Sequence, residues 1–382
     1  MDLIILGASG SIGSQVLSIL NNYEKEWTLV GFSIGERAFL IDDILKKFKN
    51  VKYICLKNKD DFKKYKRIYP YIKFYYGDKG LIKLVNSNKK CAILNALTSY
   101  IGLRPSIETL KNKRILLLAN KESLVIGGSL LQKLIKKHYG KIIPIDSEHC
   151  AIEKCFKFIK NGKQIDYIAI TASGGPFFNY SIEQLKKVNV YEALNHPNWK
   201  MGKKISIDSA TMMNKVFEVI EAYYLFNLPY EKIKVFIDRT SNTHGFIKLI
   251  DNQYIVNNSK PTMINPIKYA LSLNSLESDD VYIEDSLEKF NLLSFDYKKY
   301  FMMKYAKLVI EKKGNSGAIL CSINDTLVNS FINKRITFVE LLQNIDRIMN
   351  SVKISKLDNY FVLMLTIKVI RLKVLKYLKR SR

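Results

Sequence analysis

The sequence predicts an α/β fold in three parts, on three observations. Residues 2–22, DLIILGASGSIGSQVLSILNN, run strand, glycine turn, helix, the opening of a Rossmann-like nucleotide-binding domain. Strand-like and helical patterns then alternate through a central α/β region. From roughly Ser286 the periodicity is helical, with segments at Phe301 to Glu311, Ile319 to Ile332, Thr337 to Val352 and Asn359 to Leu378, which predicts a C-terminal helical bundle. The expected boundaries are 1–147, 148–272, a linker 273–298, and 299–382.

Composition limits the function classes. At 382 residues and 47% hydrophobic content, the chain can bury two or three cores. Lys and Arg number 61 against 35 Asp and Glu, a formal charge of +26. The basic residues recur in nearly every segment, without a zinc-finger, RNP or basic-zipper pattern, so no nucleic-acid partner is expected. The five cysteines, at 55, 91, 150, 155 and 321, lack paired CxxC spacing and read as reduced thiols. A strand begins almost at once, at Leu3 to Leu6, and no uncharged apolar run approaches membrane length. A cytoplasmic protein without a membrane partner is the expectation.

Taken in order, the first element carries Gly7, Gly10 and Gly13, spaced G-x-x-G-x-x-G. This spacing brings the backbone of Ser9, Gly10, Ser11 and Ile12 against a pyrophosphate at a helix N-terminus. The next strand, Thr28 to Phe32, leads into Ser33, Ile34, Gly35, Glu36 and Arg37. No Asp stands at its tip to hold a ribose hydroxyl; Ser33 and Arg37 suit a 2′-phosphate, hence NADP, while Glu36 argues the other way. Strand-like pieces at Tyr53 to Leu56 and Phe74 to Tyr76 alternate with lysine-rich helices. Cys91 to Ala96 and Arg114 to Ala119 are buried strands, and the second delivers Asn120, Lys121 and Glu122 at its carboxyl end, where open α/β sheets bind ligands. A helix cap is the competing reading of those three.

The strand Lys141 to Ile145 ends in Asp146, Ser147 and Glu148. Extended chain would point both carboxylates one way, toward a hard divalent cation; a helix start capped by Ser147 is the alternative. Glu218 is the candidate third carboxylate. The strand Tyr167 to Thr171 leads to Ser173, Gly174 and Gly175, a turn that lets backbone approach a ligand or simply reverses the chain. In HPNWKMGKKISIDSATMMNKVFEVIEAYYLF, residues 196–226, Asp208 or Ser209 is the expected N-cap of a helix. Met212, Val216, Val219, Ile220 and Tyr223 would line its buried face, leaving Thr211, Asn214, Lys215 and Glu218 on the opposite arc. Ser209, Asn214 and Lys215 could meet a phosphate there. An ordinary amphipathic helix with a solvated face is the alternative.

Together, GASGSIG, LLANKESLV, DSEH, SGGPF and HPNWKMGKKISIDSATMMNK resemble the 1-deoxy-D-xylulose 5-phosphate reductoisomerase family, enzymes of the non-mevalonate isoprenoid pathway. The likeness runs in order from residue 3 to about 225 and continues through Asn324 and the terminal helices. It implies NADPH and Mn²⁺ or Mg²⁺ as cofactors, and a rearrangement and reduction of 1-deoxy-D-xylulose 5-phosphate to 2-C-methyl-D-erythritol 4-phosphate. It implies that Asp146, Glu148 and Glu218 hold the metal, and that Ser173, Ser209, Asn214 and Lys215 bind the substrate phosphate. Lys121, Ser147 and His196 would contact substrate oxygens, and Trp199 with Met201 would ride on a closing flap. Ser9, Gly10, Ser11, Ile12, Gly35, Glu36, Arg37, Asn120, Glu122 and Gly202 would line the NADPH site. The family also suggests a homodimer.

Departures from the family pattern gather after residue 215. Val216 stands in place of a usual Gly, Asp238-Arg239-Thr240-Ser241 in place of His-Pro-Gln-Ser, and Thr262 and Ile264 in place of an acidic and a basic residue. His244 remains. A catalytically weakened member, or another NADP oxidoreductase of a phosphorylated sugar, are the alternative readings. The last helix interleaves Phe361, Leu363, Leu365, Ile367, Val369 and Ile370 with lysines; packing on the preceding helices is expected rather than a membrane surface.

Overall fold

A computed structural model of the chain describes residues 1–21, 26–160, 162–199, 201–273 and 279–380. They fall into two compact units. The first comprises Met1–Ser123, Leu130–Asp146 and Met263–Leu276; the second comprises Leu124–Ser129, Ser147–Thr262 and Glu277–Arg382.

The first unit is built on seven strands: β1 (Asp2–Leu6), β2 (Thr28–Ile34), β3 (Tyr53–Leu56), β4 (Lys73–Tyr76), β5 (Ala92–Asn95), β6 (Ile115–Leu118) and β7 (Lys141–Pro144). Their order is β4-β3-β2-β1-β5-β6-β7, and every pairing is parallel. Leu3, Ile4, Ile5 and Leu6 are wholly buried, as a central strand covered by helices on both faces requires. The order reverses between β1 and β5, which opens the switch-point crevice of a doubly wound sheet directly after the glycine turn. One element joins from far along the chain. Helix Ile264–Leu271 packs Ile267, Ala270 and Leu271 into this core, and the Trp27 indole donates to the Leu271 carbonyl at 2.7 Å.

The second unit holds β8 (Ile165–Ala172), β9 (Ile233–Ile237), β10 (Thr243–Leu249), β11 (Tyr254–Asn258), β12 (Val281–Glu284) and β13 (Leu293–Ser294). They are ordered β12-β11-β10-β8-β9-β13, with only β8 and β9 parallel. Helix Ser147–Phe156 packs on this sheet, and helix Met213–Phe226 packs on that helix. Val216, at the position where the resembled family has Gly, is wholly buried in the core.

Three local expectations are corrected. Asp146-Ser147-Glu148 is not extended: β7 ends at Pro144 and a helix starts at Ser147, so Glu148 lies in a first helical turn. Neither Asp208 nor Ser209 caps the helix that carries Glu218. Both lie in the last turn of helix Lys203–Ala210, and the chain breaks at Met212, in left-handed conformation (φ 61°), before Met213 restarts it. The apolar period ran through this break because it reports burial, not continuity of the backbone. Finally, the helical region starts near Phe301, since the preceding stretch includes β13. Of the expected linker 273–298, residues 274–278 lie outside the described residues.

The four long C-terminal helices are Lys304–Lys312, Ser316–Ile332, Phe338–Ser351 and Tyr360–Arg380. Thr337 and Glu340 form a capping box at the third. The last buries Leu363, Ile367, Ile370 and Val374, and Ser322 in helix Ser316–Ile332 donates to the Ile367 carbonyl at 2.9 Å. No helix among the described residues is long and apolar enough to cross a membrane. All five cysteines are buried thiols.

Candidate active site

In the first unit the residues expected to bind nucleotide lie along the carboxyl ends of β1, β2 and β6. Gly7 has φ +84°, and its N–H donates to the Ser33 hydroxyl at 2.9 Å. Ser33 thus lies buried within β2, anchoring the glycine turn, and not at an open strand tip as its pairing with Arg37 supposed. A Cβ on Gly13 would lie 2.2 Å from the Gly7 carbonyl, so turn and helix touch backbone to backbone. Helix Ser11–Leu20 starts from Gly10 without a side-chain cap, leaving the Ser11 and Ile12 end suited to an anion. Ser9 is buried; Gly35 is half-buried, and Glu36 and Arg37 are exposed beyond β2, with Glu36 paired to Lys57.

Asn120 is buried, and its side chain is engaged within the loop. Its amide donates to the carbonyls of Leu97 and Ser99, at 2.9 and 3.0 Å, and to Glu122, while its oxygen accepts from the Ser123 N–H at 3.1 Å. Glu122 also accepts from the Ser99 N–H at 3.3 Å. The helix-cap reading therefore describes Asn120, and what it offers a ligand is the loop it braces. Lys121, 6% exposed, pairs with Asp146 at 2.5 Å.

In the second unit, Glu148, Asn214, Lys215 and Glu218 come together. Lys215, 3% exposed, donates to Glu148 at 2.8 Å and to the Thr171 carbonyl, and pairs with Glu218. Burial works to lower its pKa; the Glu148 and Glu218 carboxylates outweigh that and raise it. Carboxylate oxygens of Glu148 and Glu218 lie within 4.8 Å of one another. Ser147 donates to Glu148 at 2.6 Å, and Asn214 donates to Glu218. His149, fully buried beside them, bonds the Glu218 carbonyl through Nε2 at 2.8 Å and has Nδ1 3.6 Å from Glu221. The arc of Asn214, Lys215 and Glu218 read from the sequence is real, but it faces Glu148 and not solvent.

A second cluster follows the end of β8. Gly174 and Gly175 take φ +81° and +70°, and a Cβ on Gly175 would lie 2.9 Å from the Ser209 carbonyl. Ser173 Oγ lies 3.1 Å from His196 Nε2. His196 Nδ1 accepts the N–H groups of Asn198 and Trp199, at 3.1 and 3.0 Å, which makes Nδ1 the bare nitrogen and Nε2 the proton-bearing donor to Ser173. Burial, and then the Arg239 charge, lower its pKa to about 4, against a smaller raising effect of Glu148. The Trp199 ring is tilted against His244, centroids 6.2 Å apart, and His244 is buried with its pKa lowered by that burial. Gly202 is exposed, at the start of helix Lys203–Ala210.

Ser209 shares the Gly175 turn through its backbone; no bond joins its side chain to Asn214 or Lys215 among the described residues. Sequence reasoning missed Asn198 and Arg239 as participants. Asn198 Nδ2 donates to the Arg239 carbonyl and the Ser241 hydroxyl, at 2.9 and 2.7 Å. Asn198 lay inside the quoted HPNW stretch, but nothing in a sequence says which loop an amide will bridge. Likewise the buried Asn324 donates to Asp208 at 2.7 Å.

A glycine turn at the switch point of a parallel sheet, in a chain that also gathers carboxylates suited to a hard cation, defines the class as a dinucleotide-dependent oxidoreductase. Residues 3–128 match the 1-deoxy-D-xylulose 5-phosphate reductoisomerase family, 142–226 its C-terminal domain, and 259–368 a further DXP reductoisomerase C-terminal domain. The chain belongs to the 1-deoxy-D-xylulose 5-phosphate reductoisomerase family. It is 37% identical to the 1-deoxy-D-xylulose 5-phosphate reductoisomerase of Macrococcus caseolyticus, over 91% of this chain and 92% of that one. The enzyme of Clostridium perfringens is 36% identical, over 92% and 93%. Among solved structures, DOX-P reductoisomerase in complex with NADPH, fosmidomycin and magnesium superposes with a TM-score of 0.87 at 30% identity, over 100% of this chain and 98% of that one.

Proposed function

We propose that this chain converts 1-deoxy-D-xylulose 5-phosphate to 2-C-methyl-D-erythritol 4-phosphate with NADPH and a divalent cation, Mg²⁺ or Mn²⁺, in isoprenoid precursor biosynthesis. The observation that carries the reading is the meeting of Glu148 and Glu218 around the buried Lys215 ammonium, in a chain of this family. The Lys215 ammonium meets only one of the two carboxylate charges, and the oxygen donors of the pair suit a hard divalent ion. Asp146, two positions before Glu148, is the third proposed ligand. A divalent cation there supplies Lewis-acid polarisation of the ketone, and NADPH supplies the hydride.

The remaining work falls to the chain. Ser147, donating to Glu148, aims that carboxylate. Lys215 and Asn214, with Ser173 and Ser209, would bind the substrate phosphate through their ammonium, amide and hydroxyl donors. Holding the phosphate away from the reacting carbons turns binding energy into positioning. His196, a neutral Nε2–H donor, and Lys121 address substrate oxygens. Trp199 on its flap excludes water from the aldehyde that the hydride must reach. The Gly7 to Gly13 turn with Ser9, Gly10, Ser11 and Ile12 seats the pyrophosphate. Gly35, Glu36 and Arg37 would hold the adenosine end of the cofactor, Arg37 suiting a 2′-phosphate, and Asn120, Glu122 and Gly202 are the further residues proposed for NADPH. This division of labour assigns 1–147 to nucleotide binding, with helix Ile264–Leu271 packed into the same core, the rest of 148–272 to catalysis and 299–382 to support. A cytoplasmic homodimer is the form we propose.

The test is loss of reduced-nicotinamide absorbance with 1-deoxy-D-xylulose 5-phosphate, NADPH and Mn²⁺ or Mg²⁺. Oxidation that EDTA abolishes, and that NADH supports poorly, is the expected result. No oxidation from folded, NADPH-binding protein overturns the reading.

A further inference from the structure

We infer that Arg239 is a positioning residue that fixes the Ser173 turn and, through Asn198, the His196 to Trp199 segment. The inference rests on the functional reading above for the ligand, the phosphate group of the substrate.

The turn after β8 is intrinsically soft, because Gly174 and Gly175 sit consecutively at positive φ, where glycine has the widest freedom. It also turns backbone carbonyls inward that need donors. Arg239 meets both needs. Its Nη1 donates to the Ser173 carbonyl and lies 3.3 Å from the Gly175 carbonyl, while the guanidinium covers the Phe178 ring, 4.6 Å from its centroid. A planar fork that bonds and stacks at once is specific to arginine. On its other side, the Arg239 carbonyl takes the Asn198 amide, which also reaches Ser241. One residue therefore ties together the two segments that present Ser173 Oγ and His196 Nε2 to each other.

The substitutions around Arg239 are used as a set. The buried Asp238 carboxylate accepts from the Thr240 N–H at 2.8 Å, the Thr240 hydroxyl at 2.6 Å and the Thr243 N–H at 2.7 Å, building the turn that launches Arg239. Ser241, at φ +58°, closes it. The Pro that the resembled family has at this position offers neither a cation nor a side-chain donor. Asp238-Arg239-Thr240-Ser241 thus forms one hydrogen-bonded turn.

The experiment compares Arg239→Ala and Arg239→Lys with wild type. The readouts are KM and kcat for 1-deoxy-D-xylulose 5-phosphate, binding of inorganic phosphate to the NADPH-loaded protein, and NADPH affinity. Arg239→Ala should raise the substrate KM and weaken inorganic phosphate by about tenfold each, with kcat less affected and NADPH within about twofold, since only the turn loses its brace. Arg239→Lys, which keeps the charge without the fork, should fall between. Unchanged phosphate binding in Arg239→Ala overturns the inference, and so does an equal loss of NADPH affinity, which would mean general loosening. Phosphate binding that weakens in Arg239→Ala, while wild type does not turn over, sinks the functional reading and leaves the positioning role intact. Turnover indifferent to Arg239 does the reverse, and absence of both overturns both.

Discussion

Lys215 places its ammonium 2.8 Å from Glu148, inside the protein and beside Glu218 on its own helix. A single cation thus bridges two carboxylates that come from different helices. Removing it leaves like charges facing each other in a medium that solvates them poorly.

Lys215→Met should therefore destabilise the metal-free protein by ~3–5 kcal/mol, the cost of leaving a buried charge uncompensated. Mg²⁺ or Mn²⁺ should restore part of it. Thermal melts with and without the ion check this; a melting temperature indifferent to both would remove the carboxylate pair as a cation site.

Glu218→Gln keeps the shape and the acceptor for Asn214 but deletes a ligand charge. Turnover should fall by roughly a hundredfold or more, with NADPH affinity within about twofold, because the nucleotide turn belongs to the first unit. Steady-state rates and NADPH fluorescence titration separate the two; undiminished turnover would be fatal to the proposed ligand set.

His196 bears on pH. Its folded pKa, about 4, is lowered from the ordinary histidine value of 6.5, first by burial and then by Arg239, so the folded state holds it neutral. The linked stability is complete above pH 6.5 and is lost as pH falls from 6.5 through 4, because the unfolded chain takes up the proton first. Ring-proton NMR should show the His196 signal flat from pH 8 to about 5.5; the chain has only four histidines, so assignment by His196→Gln is direct. A midpoint near 6.5 would contradict the neutral donor.

Gly13→Ala puts a methyl carbon 2.2 Å from the Gly7 carbonyl. The turn must move, and NADPH affinity should drop by about tenfold or more, since the backbone can no longer close on the pyrophosphate. Unaltered affinity would show that the cofactor does not use this turn.

What the sequence determined by itself is local. The G-x-x-G-x-x-G turn, the buried strands before Asn120 and Asp146, and the C-terminal helices follow from glycine spacing and from periods of two and 3.6, which a few neighbouring residues decide. The residue types proposed for a phosphate and metal site were legible for the same reason, and the family was legible in the motifs. The tertiary structure decided which partner each group takes. Lys215, read as a phosphate ligand, sits between Glu148 and Glu218; Ser209 ends one helix instead of starting the next. Asn120 braces a loop, Arg239 grips the Ser173 turn, and helix Ile264–Leu271 returns to Trp27 across 244 residues of chain. Such pairings depend on where distant segments are brought by burial of their apolar faces, and charge or hydroxyl chemistry alone leaves several partners equally suitable. Only packing selects among them.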